Sequence, residues 1–432
     1  MLDCKKQLGT VRKNQTIFVR RNAEVTNGWG EIMIIKEQET KMLLSLLAYE
    51  LFGQALPESH EDLDWEKLIE EANDHAITAL LYGGLKRLNG VPKDILSRVR
   101  AAAISSAMRS QSILVIQEEI LDALAAQQID CAVLKGMSVA CHYPHPELRV
   151  PGDIDLLIGS TNLEAACKAL EGIGFVFYHE TELHVSMRRK DADVEPHRKV
   201  ATFPDTEKGV WAAAYMEQAL QKLCQHEISG SAFPTLQRSF QLISLLTHMS
   251  RHMCSSGIGI RQLCDWAVTV HRLREEINQD DIAILKNCGL LYYASIVTRM
   301  CEKYLGLPEC EWTQDVPEEL VDAAMADMLE SGNFHAKREN RMYDTVLMTP
   351  YESNPTSRSS VFQNYFSFIR KRLKESYAWA KSPLWIPVFA AFFPLRWLFR
   401  VIIGKRKMVR VSHTLHHAKS RDNMLREMQL FR

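Results

Sequence analysis

Two aspartates, Asp153 and Asp155, are separated by a single apolar residue in the run Asp153-Ile154-Asp155-Leu156-Leu157-Ile158. Side chains two apart on a strand share a face. Both carboxylates therefore point one way, while Ile154 and Leu156 point the other way into a core. Two adjacent carboxylates repel unless a cation or a proton lies between them. Magnesium suits such a pair, being a hard ion that takes oxygen ligands and keeps water and phosphate in its remaining positions. An exposed edge with two solvated acids would show the same three residues, so the flanking sequence has to decide. Upstream, Val133-Leu134-Lys135-Gly136-Met137-Ser138 reads as an apolar strand running into a glycine and then a helix. Backbone N–H groups at a helix start bind phosphate, and glycine permits close approach. Ser138 adds a hydroxyl and Lys135 a positive charge. Downstream, Glu195 supplies a third acid to the same face if its strand neighbours the first. Asp193, two residues away on that face, is its rival.

These residues need a small sheet to hold them. Cys131–Leu134 and Asp153–Ile158 read as strands, and Asn162–Ile173 as an amphipathic helix closed by glycine. Phe175–His179, His184–Arg189 and Asp193–His197 read as short strands. Pro196 removes a ladder donor and suits an edge strand. The spacing predicts helices on either side. Glu37–Phe52, Trp65–His75 capped by Asp64, and Lys93–Gln127 (one long helix or two) lie before the sheet. After Trp211 the chain reads as helical to about Leu305, including Gln237–His252, Arg261–Arg274 and Asp280–Leu305. Pro308 to Ser360 is polar and reads as a loop with short helices. The expected organisation is a poorly ordered leader over 1–36, a helical N-terminal region over 37–128 and an α/β core over 129–210. A helical domain over 211–310 and a mixed C-terminal region over 311–432 follow.

Composition narrows the partners. The chain is 46% hydrophobic and 24% charged, as soluble globular proteins are, and its formal net charge of −1 gives no global basic field to attract nucleic acid. Ten cysteines are scattered with no C-x-x-C pair, which argues against zinc and for reduced thiols in a cytoplasmic protein. The basic residues of the first 30 positions precede no apolar core, so no secretory signal is expected. Leu384–Ile403 is rich in Trp, Phe, Leu, Ile and Val and then meets Lys405-Arg406-Lys407. Pro387, Pro394, Arg396 and Arg400 disfavour a spanning helix. A helix packed on the domain is expected first, and peripheral membrane contact through 384–407 second.

Lys135-Gly136-Met137-Ser138, Arg149-x-x-Gly152-Asp153-Ile154-Asp155-Leu156-Leu157 and Val194-Glu195-Pro196-His197 together resemble the polymerase-β-type nucleotidyltransferase superfamily. More narrowly, they resemble an uncharacterised bacterial nucleotidyltransferase family with Leu-Lys-Gly, Asp-Ile-Asp-Leu-Leu and Val-Glu-x-His blocks. His248-Met-Ser-Arg-His252 matches a later helical block of that family, and Leu263-Cys264-Asp265-Trp266 matches another one residue short. The resemblance covers roughly Trp65 to Leu307. It implies an α+β fold: a small mixed-sheet polymerase-β-like core flanked by helical regions. It also implies transfer of a nucleoside monophosphate from an NTP to a small-molecule or protein acceptor, at a hydroxyl or phosphate, with pyrophosphate leaving. Two Mg2+ ions, replaceable by Mn2+, would sit on Asp153, Asp155 and Glu195. Gly136 and Ser138 would hold the outer phosphates, with Lys135 or Arg149 neutralising their charge. The hydroxyl of Ser138 stands one residue later than in the superfamily's Gly-Ser pair. His248 and His252 share a helix face without a third zinc ligand, and Arg261 and Asp265 are spaced for an ion pair.

Two other functions fit D-x-D. A glycosyltransferase holding a sugar nucleotide would need neither the third acid nor the Lys-Gly-x-Ser loop. A non-catalytic scaffold would carry the acids as vestiges.

Overall fold

The computed structural model describes residues 37–58, 62–333, 348, 361–376, 382, 384–403 and 411–432. The expected leader over 1–36 lies outside them, as do most of 334–360 and the basic cluster after Ile403.

The N-terminal helices follow the apolar spacing closely. α1 spans Gln38–Phe52 and stops at Gly53, whose left-handed φ of 67° closes the helix. α2 spans Trp65–Asp74, and the Asp64 carboxylate accepts from the Lys67 N–H at 3.0 Å. α3 (Tyr82–Arg87) leads to α4, a single helix over Lys93–Ala126. Next come β1 (Ala132–Leu134), α5 (Met137–Ala140), β2 (Ile154–Leu157) and α6 (Leu163–Gly172). β3 (Val176–Glu180), β4 (Val185–Arg188) and β5 (Asp193–His197) complete the expected strands.

The sheet is larger than the sequence suggests. After α7 (Glu207–Met216), residues expected to be helical form β6 (Leu223–Ile228) and β7 (Ser231–Leu236). Ser229 and Gly230 join them with φ of 55° and 87°, the pair of positive φ values that a tight two-residue hairpin turn needs. β7 runs parallel to β1, giving a seven-stranded mixed sheet in the order β3-β4-β5-β2-β1-β7-β6. Pro234 in the middle of β7 hid this strand, because proline is rare inside sheets. Pro196 misled in the opposite direction. β5 is an interior strand, parallel to β2 on one side and antiparallel to β4 on the other. Its ladder to β4 lapses between Met187↔Val194 and an isolated bridge at His184↔His197, which is where the missing N–H falls.

The alternation in β2 divides two cores. Ile154 and Leu156 join Val133, Val194 and the Ile113–Leu124 stretch of α4 on one face. Ala132, Leu134, Leu157 and Leu236 join the helices on the other. Those helices include α1, α8 (Arg238–Met253), α9 (Ile260–Leu273), α10 (Gln279–Asn287), α11 (Leu291–Leu305) and α12 (Glu318–Ser331). The break between α10 and α11 falls at Gly289, where φ is 66° and a Cβ would come within 2.7 Å of the Phe431 backbone. Trp266 is fully buried, and its indole N–H donates to Thr298 at 2.9 Å.

α13 (Val361–Ser376) packs on α14 (Trp385–Ile402) through Ile369, Leu373 and Phe389. Contrary to the expected packing on the domain, Leu395, Phe399 and Ile402 of α14 stay exposed. Apart from Arg396 and Arg400 this helix is apolar, and one neighbouring helix covers one stripe of it only. By length and composition alone α14 could cross a membrane. α15 (Val411–Glu427) returns to the main body, where Arg421 pairs with Asp327 at 3.0 Å.

Candidate active site

β1 ends at Leu134, opposite Asp155 on β2. The chain then turns through two consecutive residues of positive φ, Lys135 (42°) and Gly136 (45°). For a residue with a side chain this conformation costs on the order of 1 kcal/mol. Gly136 combines its φ with ψ of −114°, a conformation that belongs to glycine. The turn brings the Lys135 ammonium over Asp155, with Nζ 2.9 Å from Oδ1. On the other side, β5 lies parallel to β2 with Glu195 in register with Asp155. His197 Nε2 donates to the same Asp155 Oδ1 at 2.9 Å.

Register therefore gathers Asp153, Asp155 and Glu195 on one face, with Lys135 at its edge. Burial acts to raise the pKa of Asp155, but Lys135 and His197 outweigh it and hold the carboxyl well below its ordinary range. Burial lowers and the hydrogen bonds to Asp155 and Glu195 raise the pKa of His197, and the net shift is upward. Glu195 is opposed by burial but lowered by His197 and His184. Asp153 differs from these. Burial, Glu195, Asp155 and Asp193 together raise its pKa, with Lys135 offsetting only part. Among the described residues it has no ion pair. Three carboxylates thus face Lys135 and the hydrogen-bonding His197, and Asp153 stands where the negative charge is least compensated. That imbalance, in an all-oxygen donor set, fits a divalent cation.

The two acids of β5 stand in different surroundings. Asp193 is held by the Arg188 guanidinium at 2.8 and 3.1 Å, whereas Glu195 faces Asp155. Glu195 is also oriented by partners that the sequence reading missed. The Ser186 hydroxyl donates to its Oε1 at 3.2 Å, and His184 Nε2 lies 3.5 Å from the same oxygen. The signal was the period-two pattern of His184 and Ser186 against the buried Val185 and Met187.

Other candidates sit elsewhere than the sequence suggests. Ser138 is buried, and its hydroxyl donates to the Lys135 carbonyl at 2.9 Å. The amides of Ser138, Val139 and Ala140 likewise bond back to Lys135 and Gly136. Arg149 is buried and bound bidentately to Asp265 at 2.7 and 2.8 Å, with the Tyr143 hydroxyl donating to the same carboxylate at 2.7 Å. The ion pair expected between Arg261 and Asp265 is replaced by this arrangement. Arg261 instead donates to the Val150 carbonyl at 3.2 Å, and its Nε has no partner among the described residues. Burial and the nearby Arg149 lower its pKa, whereas Asp265 and Asp153 act to raise it. His248 and His252 meet edge to face on α8, with ring centroids 4.5 Å apart. Burial first and the Lys135 charge second lower both of their pKa values, that of His252 to about 4. α8 and α9 therefore wall the acidic face with neutral imidazoles and a partly unsatisfied guanidinium.

A cleft of about 650 Å³ opens beside the acids, lined in part by Arg109, Gly152, Asp153, Arg189, Lys190 and Asp193. It reaches Asp153 but not Asp155 or Lys135. Its volume lies within the range of small-molecule pockets.

No curated protein and no solved structure matches the chain. A family model described as uncharacterised nucleotidyltransferase matches residues 61–306, which cover the whole acidic face, its sheet and the α8–α9 wall. The match takes in more than half of the chain, and the protein belongs to that nucleotidyltransferase family.

Proposed function

We propose that the acidic face transfers a nucleoside monophosphate from an NTP to an acceptor hydroxyl or phosphate, with pyrophosphate as the leaving group. The observation that carries this is the register: Asp155 opposite Glu195 on adjacent strands, Asp153 two residues before, and the Lys135-Gly136 turn above them. Asp153 and Asp155 would hold two magnesium ions, and Glu195 would share one of them. When bound, such ions polarise the phosphoryl oxygens and lower the pKa of an acceptor.

The chain's own groups supply the rest. Glu195, held by Ser186 and His184, would accept the acceptor's proton. Lys135 sits on Asp155 as a tethered cation and can turn to the triphosphate as it binds, exchanging one anion for another. Arg261, whose buried Nε has no partner among the described residues, lies close enough to Asp153 to feel its charge. Lys190 and Arg189 border the cleft beside Asp153, where an anionic substrate would lie.

Calorimetric titration with each of the four NTPs, with and without magnesium, tests the proposal. Binding that requires magnesium, and that disappears in Asp153→Asn/Asp155→Asn, is the expected result and identifies the preferred base. Failure of the folded wild type to bind any NTP would count against it.

A further inference from the structure

On the far side of the Lys135–Ser138 turn the fold assembles a second cluster. Cys141 and His142 close α5, and His226 comes from the middle of β6, 85 positions further on. Cys141 Sγ lies 3.1 Å from His226 Nδ1 and 3.7 Å from His142 Nδ1. One ligand atom from each of the three falls within 4.8 Å of the others. In a tetrahedral zinc site, bonds of about 2.3 Å to sulfur and 2.0–2.1 Å to nitrogen put sulfur and nitrogen ligands roughly 3.5 Å apart. The observed separations bracket that spacing. All three side chains are half-buried, enough to order them and open enough for an ion to enter. Burial disfavours the charged form of both the His142 and the His226 ring.

We propose that Cys141, His142 and His226 bind zinc(II) with a fourth position left to water. Binding displaces the Cys141 thiol proton to solvent, leaving a thiolate, two neutral imidazoles and the ion with a net charge of +1. Gln241 supplies the supporting contact. Its Nε2 now donates to the Ser138 carbonyl at 3.0 Å and stands 3.3 Å from His142 Nε2. Cys224 does not complete the set, since its Sγ lies 4.0 Å from the opposite nitrogen of His226. The ion would clamp α5, and with it the strained Lys135-Gly136 turn, to the β6–β7 hairpin. The sequence pattern concealed this group because its ligands are joined by topology.

Cobalt(II) is the probe, because a thiolate ligand gives a sulfur-to-cobalt charge-transfer band that oxygen and imidazole ligands do not. Titrating the metal-stripped full chain is expected to develop this band to one equivalent, and zinc(II) is expected to abolish it. Cobalt held by the acidic face is silent in this band, so the result is independent of the proposed activity. Cys141→Ser and His226→Gln should each lose the band or weaken cobalt binding at least tenfold, and Cys224→Ser should keep it. No band in the folded wild type, or a band retained in folded Cys141→Ser, would overturn the site. Should Cys141→Ser not fold, His226→Gln with full-strength binding would overturn it equally.

Discussion

We expect Asp153→Asn to abolish nucleotidyl transfer, by at least about 10²-fold, while leaving the folded chain as stable as the wild type or slightly more so. The reason is the raised pKa of Asp153, caused by burial and by Glu195, Asp155 and Asp193. A carboxyl whose pKa is higher folded than unfolded favours the fold below its unfolded value of about 3.9 and weakens it as pH rises through the folded value. At pH 7 without a cation the charge on Asp153 is therefore a penalty, and an amide removes it. Asp155→Asn should be equally inactive but should lose stability. Asp155 is buried between Lys135 and His197, and its depressed pKa contributes stability that is present above about pH 4 and lost as pH falls below it. Breaking such a pair costs about 2–3 kcal/mol here, below the usual figure for a fully buried pair because Lys135 can turn to water. Thermal melts at pH 7 should separate the two variants, and magnesium should raise the melting temperature of the wild type but not of Asp153→Asn. Asp153→Asn that stays folded and still turns over would remove Asp153 from the site.

The contrast between the two aspartates was not legible in the sequence, although their shared face was. Alternation in Asp153-Ile154-Asp155-Leu156 is a local property of a strand, and the structure sends Ile154 and Leu156 into one core as that pattern requires. What alternation does not contain is the identity of the neighbouring strands. Glu195 could be placed opposite Asp155 only once β5 was known to run parallel to β2, and Lys135 only once β1 was known to end there. The helices were readable for the same local reason. Apolar spacing and the Asp64 cap define α1 and α2 to within a residue. The hairpin of β6 and β7 was lost because Pro234 argues against a strand, while the Ser229-Gly230 turn that argues for one is a weak dipeptide signal.

Polar side chains in the interior were harder still. Ser138 and Arg149 have the chemistry of phosphate ligands, and their types alone cannot tell a ligand from a structural contact. In the structure both are already engaged, Arg149 by Asp265, 116 positions further on, and Ser138 by the Lys135 carbonyl only three residues back. The cysteines show the same limit from the other side. Spacing along the chain argued against a metal, yet Cys141 and His226 touch because α5 packs beside the hairpin. For Arg149 and Cys141 the residue type is local information, and the partner is set by topology.

Arg149 gives the second large effect. We expect Arg149→Ala to destabilise the chain by about 3–5 kcal/mol, since it strands the buried Asp265 carboxylate with only Tyr143 as a close partner. Replacing the whole cluster, as Arg149→Met/Asp265→Leu/Tyr143→Phe, should recover part of that loss, because none of the three positions then holds a stranded charge or hydroxyl, although Arg261 loses the Asp265 charge that favours it. Urea denaturation of the single and triple variants measures both. The cluster also has a positional role. Arg149 stands four residues before Asp153, and Asp265 lies on α9 one turn from Arg261, so the pair pins the loop entering β2 against the helical wall. The triple variant, with packing but no ion pair, should bind NTP with magnesium almost as the wild type does. If Arg149→Ala instead kept its stability and lost NTP affinity, the guanidinium would have to leave Asp265 for the triphosphate, and the phosphate role that its sequence position suggests would be restored.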